Sequence, residues 1–134
     1  MLKLEIVTPE RRVLDETVES VTVPTASGEA GILTAHAPLI SALKPGILTY
    51  TVKGTAERLV VTGGFVEVSG DQVSVLTDTA ETAAEIDTEA ARASRDAAQK
   101  ELAAAATASV EETEPIRDRL DAATARLALA AGGK

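Results

Sequence analysis

The stretch Gly63-Gly64-Phe65-Val66-Glu67-Val68-Ser69-Gly70-Asp71-Gln72-Val73-Ser74-Val75-Leu76 decides the fold. Val66 and Val68 alternate with Phe65, Glu67 and Ser69, and Val73 and Val75 flank Ser74, the period-two pattern of strands that bury one face. Gly63-Gly64 and Gly70-Asp71 punctuate these two short runs as turns. Working outward, Leu2, Leu4 and Ile6 alternate with polar neighbours until Pro9 stops the strand. Val18 to Val23 forms a second run that ends at Pro24. Ile47 to Val52 and Leu59 to Thr62 follow, with Gly28, Gly31, Pro45-Gly46 and Gly54 as further turn signals. Short strands at such spacing predict an antiparallel sandwich or barrel, with length enough for one small core.

Composition changes near Asp78, where Val, Leu and Ile give way to alanine. Asp87 can cap a helix with Glu89 in the positive field of its N-terminus, and Ile86, Ala90, Ala93 and Ala97 lie along one face. Ser109 and Glu112 have capping-box spacing for a second helix, with Pro115 as an alternative first turn. Ile116, Leu120, Ala123, Leu127 and Ala130 then recur at helical spacing until Gly132-Gly133. Two helices with a short connection predict an antiparallel hairpin. The expected architecture is therefore α+β, a β-sandwich over residues 1–84 and a helical hairpin over 85–134. Large apolar side chains are sparse in the second part, so the hairpin is expected to depend on docking against the β domain or a partner. A smooth alanine surface suits exchange between docked positions.

The chain has 134 residues, 13 Lys+Arg against 21 Asp+Glu, a net charge of -8, no Cys and one His. It can form no disulfide, zinc finger or thiol nucleophile, and one His cannot meet the ligand count of a transition-metal site. Acidity and the scarcity of aromatics argue against nucleic acid as a partner. No apolar run of about 18 residues and no export signal is present, which predicts an intracellular protein without a span of its own. For an enzyme, His36 would be the base, with Ser27, Ser41, Asp15 and Asp71 as nominal partners, but no G-x-S-x-G or similar motif accompanies them. Gly28-Glu29-Ala30-Gly31 and Gly63-Gly64 lack the spacing of a phosphate loop and read as turns. Glu111, Glu112 and Glu114 read as a solvated helix start. The helical basic residues can form local pairs such as Arg92–Asp96. The residues favour an interaction or regulatory protein without catalytic or metal-ligating groups.

The ordered series Leu4-Glu5-Ile6-Val7-Thr8-Pro9-Glu10, Gly28 to Leu39 (GEAGILTAHAPL), Leu43-Lys44-Pro45-Gly46, Gly63 to Val68 and Val73 to Glu81, followed by Ile86-Asp87 before an alanine-rich tail, closely resembles the epsilon subunit of bacterial and chloroplast F-type ATP synthase. The resemblance implies a sandwich of about ten strands and a helical hairpin. It also implies a non-catalytic rotor part at the cytoplasmic face of the bacterial plasma (inner) membrane. There the sandwich binds the gamma subunit and the c-subunit ring and helps couple proton flow to ATP synthesis. The hairpin either folds onto the sandwich or reaches into the alpha/beta catalytic head and inhibits hydrolysis.

By the same resemblance Glu29 is the acidic group facing the c-ring. His36 and Pro38 lie in a loop facing the c-ring or gamma, with Thr34-Ala35 where the family often has Pro-Gly. The family's nucleotide motif I/L-D-x-x-R-A reads Ile86-Asp87-Thr88-Glu89-Ala90-Ala91 here, with Ala90 at the arginine position. Arg126 matches one arginine of the second helix, and Ala122 stands where another is expected. A triphosphate needs several such cationic donors, so no resident cofactor is expected, and Ile86, Asp87 and Arg126 are the candidate contacts for a regulatory ATP. Arg117, Arg119, Arg126 and Lys134 are the basic groups available for the catalytic beta subunit. The rival reading is a free-standing β-sandwich binding module with a helical dimerisation tail.

Overall fold

A computed structural model describes residues 1–132; Gly133 and Lys134, named above as helix end and basic group, lie outside the described residues. Ten strands come first: Leu2–Val7 (β1), Arg12–Val18 (β2), Ser20–Thr25 (β3), Gly28–Ile32 (β4), Leu39–Ala42 (β5), Gly46–Val52 (β6), Thr55–Val61 (β7), Phe65–Ser69 (β8), Gln72–Leu76 (β9) and Ala80–Glu81 (β10). A 3-10 turn at Ala83–Glu85 leads to two helices, Thr88–Ala104 (α1) and Val110–Ala130 (α2). The strands form two five-stranded sheets, ordered β2-β1-β9-β8-β5 and β10-β7-β6-β3-β4. Neighbours pair antiparallel except β1 and β9, which run parallel with Leu4 opposite Val73. The inward residues Leu2, Leu4, Ile6, Val66, Val68 and Val73 from the first sheet meet Val21, Val23, Leu48 and Val61 from the second in one apolar core.

Two expectations change at the β3–β4 hairpin. Pro24 does not end its strand, because β6 pairs with β3 only over Ser20–Thr22, so the missing N–H of Pro24 is not needed for that ladder. Its carbonyl accepts from Lys44 N at 3.0 Å. Gly28 to Gly31 is not a turn either but most of β4, with Pro24 opposite Glu29 and only Gly28 in a left-handed conformation, φ 117°.

Asp87 caps α1 as expected, its Oδ1 accepting from Ala90 N at 3.0 Å. The helix is rotated from the expected face, however: Ala91 and Ala98 are buried, whereas Ala90, Ala93 and Ala97 are exposed. Alanine on every side leaves little in the sequence to set the phase, and packing against α2 sets it instead. Ser109 caps α2, accepting from Glu112 N at 3.1 Å, so the helix begins at Val110 and Pro115 lies inside it. Asp96 pairs with its neighbour Arg95 at 3.1 Å rather than with Arg92. The hairpin lies on the outer face of the second sheet. Ile47 and Val60, opposite each other across β6 and β7, point away from the sandwich core, and Ala125, Leu129 and Ile86 pack against them.

Candidate partner-binding surfaces

The two sheets present unlike outer faces. The second is covered over β6 and β7 by α2; the first is bare and carries a row of apolar side chains across four strands. Val7 on β1 is level with Leu76 on β9, Leu76 with Phe65 on β8, and Phe65 with Ala42 on β5. Strand alternation forces this: with Val66 and Val75 directed into the core, Phe65 and Leu76 must point out. Phe65 is 58% and Leu76 55% exposed, although both are large apolar groups. Beside them a recess of about 370 Å³ is floored by Gly64 and Thr77. One step along the strands the row changes character to Glu5, Ser74, Glu67 and the exposed Ile40. An apolar strip with a carboxylate border has the make-up of a docking surface for a partner with a complementary apolar element and a basic rim.

The loop candidates do not gather in one place. Glu29 is exposed near the start of β4, beside the β3–β4 turn, and Pro24 next to it packs under Gly46, where a Cβ would lie 2.8 Å from the Pro24 ring. His36 and Pro38 follow the other end of β4. Ala35 donates its N–H to Asp71 Oδ1 at 3.1 Å, which seats this loop beside the β8–β9 turn. His36 Nδ1 donates to the carbonyl of Ala37 at 2.6 Å. Ala35 holds φ at +65°, the backbone that a glycine would adopt without strain.

The hairpin arginines differ in what they already hold. Arg117 turns back on its own helix, donating from Nη2 to the carbonyl of Val110 and from Nε to Thr113 Oγ1. Pro115, the sixth residue of α2, leaves the Glu111 carbonyl without its helical N–H, while Thr113 and Arg117 add donors one residue earlier, at the carbonyl of Val110. Arg119 makes a two-pronged contact with Glu101 on α1, at 2.7 and 3.0 Å. That pairing pulls the Glu101 carboxyl below its ordinary range. Arg126 donates from Nε to Glu81 Oε1 on β10 at 2.6 Å. Of the ATP-site candidates, Ile86 packs against Val60, Asp87 caps α1, and Arg126 pairs with Glu81. One recess beside Arg126, about 330 Å³, is lined by Glu10, Asp78, Glu81 and Glu85 with Arg11 and Arg126, and a second, about 340 Å³, by Asp78, Asp118, Arg119 and Arg126. The Glu81 contact had no signal in the sequence beyond charge, since its partners lie 45 residues apart.

A sandwich with one bare apolar face and a helix pair resting lightly on the other is the build of a subunit that works by docking within a larger assembly. The family model described as ATP synthase, delta/epsilon chain, β-sandwich domain matches residues 1–83. The ATP synthase epsilon chain of Carboxydothermus hydrogenoformans is 50% identical over 102 residues, 76% of each chain. That of Solibacter usitatus is 48% identical over 100 residues, 75% of each chain. A chain in the solved Euglena gracilis mitochondrial ATP synthase, an OSCP/F1/c-ring structure in rotational state 1, superposes with a TM-score of 0.75 at 25% identity, covering 92% of this chain and 77% of its own. The chain thus belongs to the delta/epsilon family of ATP synthase subunits, as an epsilon-type, non-catalytic subunit of the central stalk of an F-type ATP synthase. It is a peripheral part of a membrane complex, and no helix among the described residues is long and apolar enough to cross a membrane.

Proposed function

We propose that the chain is the rotor element that joins gamma to the c-ring at the cytoplasmic face of the bacterial plasma membrane, and so helps transmit proton-driven rotation to ATP synthesis. The observation that carries this reading is the outward-facing row of half-buried Val7 with exposed Leu76, Phe65 and Ala42, which gives gamma an apolar seat with Glu67 and Glu5 at its border. Glu29, at the other sheet's free edge, is the contact for a cationic group of the c-ring. An exposed pair of this kind adds only about 0–1 kcal/mol and so sets register rather than affinity. The loop with His36 and Pro38 faces gamma.

The hairpin is the regulatory domain. It rests on the sandwich in one state and extends toward the alpha/beta head in another, where its arginines meet the catalytic beta subunit and slow hydrolysis. The chain holds no resident cofactor: one arginine, already committed to Glu81, is too few for a triphosphate. Replacing Phe65 by Glu tests the seat. Binding of the variant to gamma, measured by titration calorimetry, is expected to weaken by about tenfold or more, with the melting temperature unchanged because the side chain is outside the core. Undiminished binding would remove the apolar row from the rotor interface. Co-elution of the chain with gamma, rather than as a homodimer, separates this reading from a free-standing module with a dimerisation tail.

A further inference from the structure

The hairpin is held to the sandwich by little. Its apolar footing consists of Ala125 and Leu129 on α2 set against Val60 and Ile47, with Ile86 beside them. Among the described residues, only one hydrogen bond or ion pair joins α1 or α2 to a strand, that of Arg126 with Glu81. The contact of Arg11 with Glu85 ends on the 3-10 turn before α1, not on a helix. Arg126 and Glu81 are 25% and 28% exposed, and no other ion pair among the described residues has both partners so covered. The helices, by contrast, are fastened to each other by the two-pronged Arg119–Glu101 contact, which touches no strand.

From this asymmetry we infer that Glu81–Arg126 is a latch between β10 and α2, and that the hairpin leaves the sheet as one body, with the Arg119–Glu101 staple intact. The inference deepens the regulatory reading above and rests on it for its purpose, though not for its physics. Glu81 is the second residue of a two-residue edge strand, immediately before the connection to α1, so the latch closes at the point about which the hairpin would swing. Two other arginines line the recesses beside Arg126, and both are held elsewhere, Arg11 by Glu85 and Arg119 by Glu101. Opening breaks one ion pair and uncovers Val60 and Ile47, while the contacts within the hairpin stay made.

The chain has no cysteine, so spin labels on Ser69→Cys in β8 and Thr107→Cys at the hairpin tip report the separation of the two parts in the full-length protein. The ratio of undocked to docked molecules is expected to rise by about two- to fivefold in Glu81→Gln and in Arg126→Gln. The double variant should rise no further than either single one, because both remove the same contact. Glu101→Gln, which loosens the helices from each other, should leave the ratio unchanged, and added sodium chloride should shift the unsubstituted chain but not Glu81→Gln. A Glu81→Gln distribution identical to the starting chain, or additive effects of the two substitutions, would overturn the latch. If the distributions shift as expected and the assembled complex hydrolyses ATP at the same rate with either chain, the latch stands and the regulatory reading falls.

Discussion

Ala35 and Gly64 both hold left-handed backbone, with φ +65° and +95°, and they answer to substitution in opposite directions. A Cβ in this region costs about 1–2 kcal/mol, and Ala35 bears that cost where it hands its N–H to Asp71. Ala35→Gly is expected to stabilise the chain by about 0.5–1 kcal/mol once the greater freedom of the unfolded glycine is subtracted, measured by urea unfolding. At Gly64 a Cβ would collide with the carbonyl of Leu76, and its nearest obstacles are all backbone, so nothing cheap can move. Gly64→Ala should lower stability by about 3 kcal/mol or more in the same experiment. Asp118 supplies a pH test. Burial first, then Glu114 and Asp121, push its carboxyl above the ordinary 3.8, against a smaller pull from Arg117 and Lys44. An acid raised on folding is ionised more easily in the unfolded chain, so its contribution to stability falls as pH rises through 3.8 and stays lower above the raised value. Asp118→Asn should therefore raise the melting temperature by about 1–2 °C at pH 7 and give no gain at low pH, where both forms are neutral.

At the scale of elements, what could be read from the sequence follows where each strand sits. The runs that were plain, in β1, β3, β6, β7, β8 and β9, belong to the six interior strands. The four that lacked a pattern of their own, β2, β4, β5 and β10, are the four sheet edges. An edge strand pairs on one side only and covers less of the core, so period-two alternation is not imposed on it: β4 is Gly-Glu-Ala-Gly-Ile, and β10 is two residues long. The parallel β1–β9 pair was equally out of reach, because alternation gives the face of a residue and not the direction of its neighbour. On the helices, caps were legible and faces were not, since Asp87 and Ser109 act locally whereas the burial of Ala91 rather than Ala90 follows from packing against α2. Of the site, the alternation that exposes Phe65 and Leu76 was in the sequence, but not the register that aligns them with Val7 and Ala42. The main core cluster lies entirely within the sandwich. Residues 1–84 alone are therefore expected to unfold in one cooperative transition, whereas a peptide of residues 86–132, deprived of Val60 and Ile47, should show weak helical circular dichroism at 25 °C.

The whole molecule divides its work between two faces: the bare face of the first sheet keeps its apolar row free whatever the hairpin does, while the covered face of the second sheet is available only when the hairpin leaves. If gamma sits on the first face and regulation belongs to the second, removing the hairpin should separate the two roles. A chain ending at Ala84 retains all of the main core and every residue of the Val7–Leu76–Phe65–Ala42 row. It is expected to bind gamma within about twofold of the full chain, a difference that corresponds to less than about 0.5 kcal/mol. The reconstituted complex carrying it should support proton-driven ATP synthesis while its ATP hydrolysis rises above that of the complex with the full chain. Full-length chain bearing Phe65→Glu should do the reverse, losing assembly and coupling while its hairpin docks normally. Loss of gamma binding on truncation would mean that the helices contribute to the rotor seat, and the division of roles between the faces would then be wrong.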